Sequence, residues 1–210
     1  MKIRFLFAKM MAFAIVFSFI SCHIDGTSYN ADEEKGYSEA AKLILKSLDP
    51  SNEKVYYMHF ECSQENGNKL ETVTIKVVNN SNMAYSQKIL LTGSQQALPI
   101  ENIPHTFEAP EYKDVKGINI QHLDTKSIQK QIENAKALIP KGDKFKAIYD
   151  YTISEAVPAG DEAFNSSEEI GKQTTSFYMS FSHKQPDGKE GFAAVRCLVE
   201  DNNKVKFDVD

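Results

Sequence analysis

The sequence predicts an α+β fold in which antiparallel strands form sheets and helices pack on one face. Three observations predict it. Two segments place apolar residues three to four positions apart, as amphipathic helices do, and several others alternate apolar and polar residues, as half-buried strands do. Turns rich in Asn, Gly and Pro separate the alternating segments. The 210 residues, 41% of them hydrophobic, are enough to form a real core.

The first half of the domain is predicted to begin with a helix over residues 37–48, which Pro50 ends. The strands expected after it span residues 55–62, 71–78 and 84–91. Asn66-Gly67 is a strong hairpin turn between the first two strands. In the first strand the alternating side chains expected on the apolar face are Tyr56, Met58, Phe60 and Cys62.

The second half repeats this pattern after a Pro-containing connection over residues 96–117. A helix is predicted over residues 125–139, with Asp124 or Thr125 as its N-cap. The strands expected next span residues 145–153, 175–183, 192–199 and 205–209. In the first of these, one face is predicted to carry Phe145, Ala147, Tyr149, Tyr151 and Ile153. The pattern is compatible with two tandem helix-plus-strand units over residues 37–95 and 118–210, and both true duplication and coincidence remain open.

Residues 1–21 have the pattern of an export signal. Lys2, Arg4 and Lys9 are the charged residues among them, and an uncharged apolar run extends from Met10 to Ile20. A membrane-spanning helix needs roughly 20 apolar residues, so this run is too short to be one. A basic start, a short apolar core and a small residue before the cleavage point are typical of a secretory signal.

The residues Phe19-Ile20-Ser21-Cys22 resemble the lipobox of bacterial lipoproteins, in particular those of Bacteroidota. The resemblance covers residues 1–22, and Phe19 stands where leucine is common. It implies diacylglycerol on the Cys22 thiol, cleavage after Ser21 and acylation of the new amino group, for example with palmitate. An ordinary signal peptide with an incidental cysteine is the alternative.

The lipobox implies a location in the cell envelope, with acyl chains as the contact with the membrane. We expect the outer rather than the inner membrane, and the sequence leaves the periplasmic or surface side open. Residues 22–36 are polar and acid-rich, and we predict that they form a flexible tether.

The charge balance limits the kinds of partner that the chain can bind. The chain has 24 basic and 29 acidic residues, and removal of the signal leaves 21 and 29, a formal charge of −8. A nucleic-acid binder needs a basic surface, so we predict no nucleic-acid partner. An anionic lipid surface would repel the mature chain, which leaves attachment to the acyl chains.

Cys62 and Cys197 remain once Cys22 is assigned to lipid. An even number of cysteines in an exported protein suggests a disulfide, here between the two halves. The alternative is two separate buried thiols that act as small apolar side chains.

The sequence contains no recognisable catalytic, cofactor or metal motif. His59 and Glu61 should share the more polar face of their strand with Tyr57, and we interpret them as an exposed strand pair rather than a base or metal site. Further carboxylates that could act in a hydrolase, or simply be solvated, are Asp143, Asp150, Glu155, Asp161 and Glu162. We therefore predict no catalytic residue, no metal and no cofactor.

Residues 154–173 connect two strands through a long segment with five acids and one lysine. Long loops on rigid sheets often carry function, although a tolerated insertion would look the same. The side chains that we select as a partner-binding loop are Asp161, Glu162, Phe164, Glu168 and Glu169.

The function that these observations favour is that of a non-catalytic, lipid-anchored envelope protein that binds another protein or assembles a complex. Two alternatives remain. One is an inhibitor or immunity protein that inserts the acidic loop into an enzyme, and the other is an envelope hydrolase.

Overall fold

The computed structural model describes residues 28–63, 68–104, 109–158, 170–185 and 188–208. Within these residues, two α-helices pack on a nine-stranded antiparallel sheet, which confirms the predicted α+β class. The helices are α1 (Glu34–Ser47) and α2 (Thr125–Lys136). The strands are β1 (Tyr29–Asn30), β2 (Glu53–Ser63), β3 (Lys69–Asn79), β4 (Ala84–Leu90), β5 (Glu101–Ile103), β6 (Lys144–Glu155), β7 (Gln173–Lys184), β8 (Glu190–Val199) and β9 (Val205–Asp208). Short 3-10 turns cover Tyr112–Asp114, Ile120–His122 and Asp201–Asn203.

The sheet joins the two halves of the chain through their first long strands. The strand order is β5-β4-β3-β2-β6-β7-β8-β9, and β1 pairs with the start of β3. Each half thus contributes a helix followed by antiparallel strands, and β2 pairs with β6 at the centre. Since one hydrophobic cluster includes side chains from both helices and both groups of strands, the halves share a core.

Aromatic rings link the helices to that core. Tyr37 of α1 is fully buried and meets the rings of Phe60 and Tyr151 edge to face, with centroids 5.0 Å and 5.6 Å away. Tyr151 also stacks on Phe177 at 5.5 Å. Each such pair contributes about 0.5–1.5 kcal/mol beyond area burial. The Tyr37 hydroxyl donates to the Ala31 carbonyl at 2.7 Å, so its polar end is satisfied.

Helix α2 begins as predicted, because the Asp124 carboxylate accepts a hydrogen bond from the Ser127 N–H at 3.0 Å. It ends at Lys136, before the predicted end at residue 139. Asn203, in the turn before β9, accepts from the Gln131 side-chain amide at 2.7 Å and from Asn134 through its carbonyl at 2.7 Å. These bonds hold the β8–β9 turn against the helix.

The predicted tether over residues 22–36 is wrong from Tyr29 onward. Tyr29 and Ala31 are buried, and the Ala31 N–H donates to the Asn68 carbonyl at 2.9 Å. Gly36 lies so close to β1 and β3 that a Cβ there would come within 2.5 Å of Leu70 Cδ1 and 2.8 Å of Tyr29 Cβ. The polar composition of residues 22–36 suggested a solvated segment. In the structure, however, the apolar side chains Tyr29 and Ala31 pack into the fold.

Two strands depart from simple alternation, and this corrects two predicted faces. In β2 the register shifts between Val55 and Tyr57, so Val55 enters the main core and Tyr56 packs in a second cluster with Val78 and Val115. A β-bulge inserts one extra residue and reverses which side chains face the core before it.

In β6 the register shifts twice, between Phe145 and Ala147 and between Ile148 and Asp150. Ile148 consequently fills the core with 0% exposure. Ala147 pairs across the strand with Ser180, away from the main core cluster, and Tyr149 lies in the second bulge. Strict alternation placed Ala147 and Tyr149 on the core face, and the bulges move them off it.

The connection between the halves crosses the end of the sheet. Lys54 donates from its Nζ to the carbonyls of Tyr112 at 2.9 Å and Val115 at 2.6 Å. A little further along the chain, Ile118 joins the main core, and its N–H donates to the Val55 carbonyl at 2.7 Å. The chain therefore passes from one face of the sheet to the other between Val115 and Ile118.

Candidate functional site

The face of the sheet opposite the helices carries polar and aromatic side chains at its centre. We call it the open face and define it by seven side chains: Tyr57, His59, Glu61, Asp150, Thr152, Tyr178 and Arg196. They lie there because alternate residues of a strand point to opposite faces, and their neighbours along each strand fill the core. Most of them line a groove of about 600 Å³ together with polar residues of β6 and β7.

Strand pairing arranges these side chains in rows across the sheet. One row runs from Glu61 through Asp150 and Tyr178 to Arg196. The next row runs from His59 through Thr152. Tyr178 is 43% exposed in the middle of the first row. The open face thus presents an aromatic ring between an acidic and a basic residue on a rigid support.

Glu61 and Asp150 are directly opposite each other, yet their environments differ. The Glu61 carboxylate accepts from Thr72 Oγ1 at 2.5 Å and from Lys88 Nζ at 2.9 Å. These two donors, first Thr72 and then Lys88, lower the pKa of Glu61. Burial raises the pKa of Asp150, with His59 acting in the opposite direction. Two like charges side by side are therefore stabilised unequally.

His59 and Tyr57 are held by their neighbours. His59 Nδ1 and Thr152 Oγ1 are 2.8 Å apart, at hydrogen-bonding distance. The Tyr57 ring stacks on His59 with centroids 6.2 Å apart, and Lys76 Nζ lies 5.2 Å from the centroid of the Tyr57 ring. The structure thus places Tyr57, His59 and Glu61 on the same face, as predicted. Across the described residues, no group of three or more His, Cys, Asp or Glu side chains could hold a metal ion.

The candidate carboxylates do not converge. Asp150 lies on the open face, whereas Glu155, later in the same strand, points to the other face and is 5% exposed. Its oxygens accept the N–H groups of Lys116 at 2.6 Å and Gly117 at 2.7 Å. Asp143 precedes β6 in the loop at the opposite end of the strand. Asp161 and Glu162 lie outside the described residues.

The suggested disulfide is wrong for this structure, because Cys62 and Cys197 are both free and buried. Strands β6 and β7 lie between β2 and β8, so the two cysteines are separated laterally by about 14 Å at a strand spacing of ~4.8 Å. A disulfide requires Cα atoms within ~7 Å of each other. Each thiol instead fills the core, as the alternative interpretation had it.

Two predicted sites lie outside the described residues. One is the lipidation site Cys22. The other is the partner-binding loop, with Asp161, Glu162, Phe164, Glu168 and Glu169, and both stay predictions.

Sequence reasoning missed Tyr178 and Arg196 as site residues. The alternation in the two predicted strands would have placed each on a polar face, opposite Phe177 and Cys197. It could not show that β7 lies beside β6, which brings Tyr178 next to Asp150.

Comparisons with protein-family models, with curated proteins and with solved structures found no match to this chain. None of the helices formed by the described residues has the length and apolar character needed to cross a membrane.

Proposed function

We propose that this chain is a lipid-anchored protein of the cell envelope that binds a protein partner through its open face. The anchor rests on the sequence: a basic start, a short apolar core and Cys22 in a lipobox-like setting. The binding role rests on the side chains of the sheet.

The observation that carries the binding role is the position of Tyr178, exposed at the centre of the open face with Arg196 beside it. Tyr and Arg are enriched among the residues that contribute most to protein–protein affinity, and such residues cluster at the centre of an interface. Because both side chains stand on paired strands, little backbone entropy would be lost when a partner binds.

Binding fits this face better than catalysis. The carboxylates Asp150 and Glu155 point to opposite faces, and each oxygen of the Glu155 carboxylate already accepts one backbone N–H group. His59 is engaged with Thr152 and lies on an open surface, not in a closed cavity that excludes water.

Photocrosslinking in intact cells tests the binding role. A crosslinking amino acid at Tyr178 should give one adduct of defined mass, whereas the same amino acid at Lys130, exposed on α2, should give none. The double variant Tyr178→Ala/Arg196→Ala should lose the partner, and Lys126→Ala/Lys130→Ala should keep it. Equal adducts from both faces, or none from Tyr178, would contradict the proposal.

The anchor has a separate test. Mass spectrometry of the mature protein should show an N-terminal Cys22 that carries a diacylglycerol and acyl chains. Cys22→Ala should move the protein from the membrane fraction to the soluble fraction. An unmodified Cys22 would refute the anchor without touching the binding role.

A further inference from the structure

The two edges of the sheet are covered to different extents. On one edge, β5 pairs with Ala84–Ser86 of β4, and the following chain continues this cover, since the Leu98 N–H donates to the Lys88 carbonyl at 2.8 Å. On the other edge, β9 pairs with β8 over Arg196–Val199. Among the residues that the structure describes, no strand lies beside the remainder of β8. We call this remainder, Glu190–Val195, the β8 edge.

Two hydrogen bonds show which backbone groups of β8 point away from β7. The Gln185 N–H donates to the Lys189 carbonyl at 2.8 Å where the β7–β8 pairing begins, and the Glu200 N–H donates to the Lys204 carbonyl at 2.8 Å where the β8–β9 pairing begins. Hydrogen-bonded and non-bonded pairs alternate along an antiparallel ladder, and both registers run without a shift. The odd-numbered residues of β8 therefore bond to β7, and the even-numbered residues point their N–H and C=O groups outward.

The outward backbone groups of the β8 edge belong to Glu190, Phe192 and Ala194. All three residues are exposed, Phe192 to 68%. A row of unpaired N–H and C=O groups is a template for a further strand, and proteins commonly block such an edge with lysine, proline or a bulge. From Gly191 to Val195 the chain has neither a charged residue nor a proline, and its pairing with β7 has no bulge. The β8 edge is therefore able to accept another strand.

The core reaches the β8 edge without being closed there. Ala193 and Val195 face the core and are only partly buried. Close to them, the rings of Phe181 and Phe207 stack with centroids 6.4 Å apart. Apolar side chains opposite Ala193 and Val195 on an added strand would extend this cluster and remove it from water.

The other side chains of the β8 edge connect it to the open face. Phe192 and Ala194 share a face with Arg196, because they precede it by four and by two residues. Ala194 is roughly 7 Å from Arg196 at the usual rise per residue of a strand, and Arg196 pairs with Tyr178. A protein bound to the centre of the open face would thus be beside the β8 edge.

We propose that the protein partner of the open face adds an extended segment to the β8 edge, antiparallel to β8 and in line with β9. This inference rests on the proposed function, because the same partner contacts Tyr178 and Arg196. About six backbone hydrogen bonds would form, two at each outward residue. In this mode of recognition the main-chain bonds provide affinity, and alternate side chains provide specificity. The segment recognised is one with apolar residues at alternate positions, which face Ala193 and Val195.

Amide exchange of the purified protein, followed by NMR, tests the edge without a partner. The N–H groups of Phe192 and Ala194 should exchange fast, because they point outward. Those of Ala193 and Val195 should exchange slowly, because they bond to β7. Slow exchange at Phe192 and Ala194 in the free protein would show that the edge is already covered, and would overturn the inference.

A proline substitution tests the main-chain bonds to the partner. Ala194→Pro removes an outward N–H and no bond to β7, and proline is tolerated on an edge strand. Ala194→Val keeps the N–H and is the matched control. With the crosslinking amino acid at Tyr178, the yield of the partner adduct in cells should fall about tenfold in Ala194→Pro and persist in Ala194→Val. Urea unfolding of both variants checks that they fold equally well.

Crosslinking from Phe192 is a second measurement that needs no proline. It should give an adduct of the same mass as crosslinking from Tyr178. An adduct with twice the mass of the chain would identify a second copy as the occupant, and would overturn the inference.

The outcomes separate this inference from the proposed function. If the Tyr178 adduct persists in a folded Ala194→Pro variant, or is lost equally in Ala194→Val, strand addition is wrong and the open face still binds its partner. If Tyr178 gives no adduct in the otherwise unchanged chain, the proposed function is refuted, and strand addition by that partner with it.

Discussion

Glu155 fastens the connection between the two halves to the end of β6, and its replacement should loosen that end of the sheet. The residue is 5% exposed, and its carboxylate accepts two backbone N–H groups, from Lys116 at 2.6 Å and from Gly117 at 2.7 Å. These donors lie where the chain passes from one face of the sheet to the other. Glu155→Ala removes both acceptors at once.

The expected loss follows from the geometry. A hydrogen bond to a charged group contributes about 1.5–3 kcal/mol, and two such bonds are lost. Water that enters the vacated space regains part of this, so we expect a decrease of about 3 kcal/mol in the free energy of unfolding. For a chain of this size that corresponds to a decrease of roughly 6–12 °C in Tm. Glu155→Gln keeps one acceptor oxygen and should lose about half as much.

Urea denaturation measures the global effect, and hydrogen–deuterium exchange locates it. The amides of Lys116 and Gly117 should exchange faster in Glu155→Ala, while the core amides of β6 should change only by the global loss. Glu200→Ala, which removes an exposed carboxylate at the same end of the sheet, serves as the control and should be near neutral. A loss below about 0.5 kcal/mol, the range of an ordinary surface substitution, or unchanged exchange at Lys116 and Gly117, would refute the reasoning.

Three further predictions concern the helix contact, the opposed carboxylates and the thiols. Gly36→Ala should cost about 1–3 kcal/mol in urea unfolding, because the new Cβ overlaps buried side chains. Glu61→Gln should lower stability at pH 7, and less so at pH 3, because a depressed pKa stabilises the fold only above the ordinary range of the carboxyl group. Asp150→Asn should raise stability at pH 7 and have little effect at pH 3, because the pKa of Asp150 is raised and the fold disfavours its charged form. Thermal melts of both variants at pH 7 and pH 3 measure these changes. An equal shift in Tm at the two pH values would contradict the predicted pH dependence. Cys62 and Cys197 should both react with a thiol reagent after the protein is unfolded without reductant. In the native protein at pH 8 both should react slowly, because burial raises the pKa of each thiol, that of Cys197 to about 12. If only one of the two thiols reacts after unfolding, or neither does, they have been oxidised.

Local patterns predicted the elements well. Both helices and all the strands except the short β1 and β5 lie where periodicity and turn residues placed them, with ends displaced by less than one helical turn. This works because the spacing of apolar residues reports which face of an element is buried, and that information is local. The cap at Asp124 is equally local, since its side chain needs only the nearby N–H of Ser127.

The errors occurred where a distant contact overrides the local pattern. The bulges at Tyr56 and Tyr149 leave no clear mark in the sequence, yet each changes which residues enter the core. The sequence suggested that Glu155 is a solvated loop carboxylate, but the connection between the two halves folds over it and donates two N–H groups to it. Such effects depend on partners that lie far away along the chain.

The sequence by itself determined the class of fold, the order of helices and strands, the polar character of the strand with His59 and Glu61, and the signal-like start of the chain. Only the tertiary structure decided that β2 pairs with β6, which places Tyr178 and Arg196 in line with Glu61 and keeps Cys62 apart from Cys197. The physical reason is that alternation fixes the face of each strand, whereas the neighbour of each strand is set by how the whole core packs.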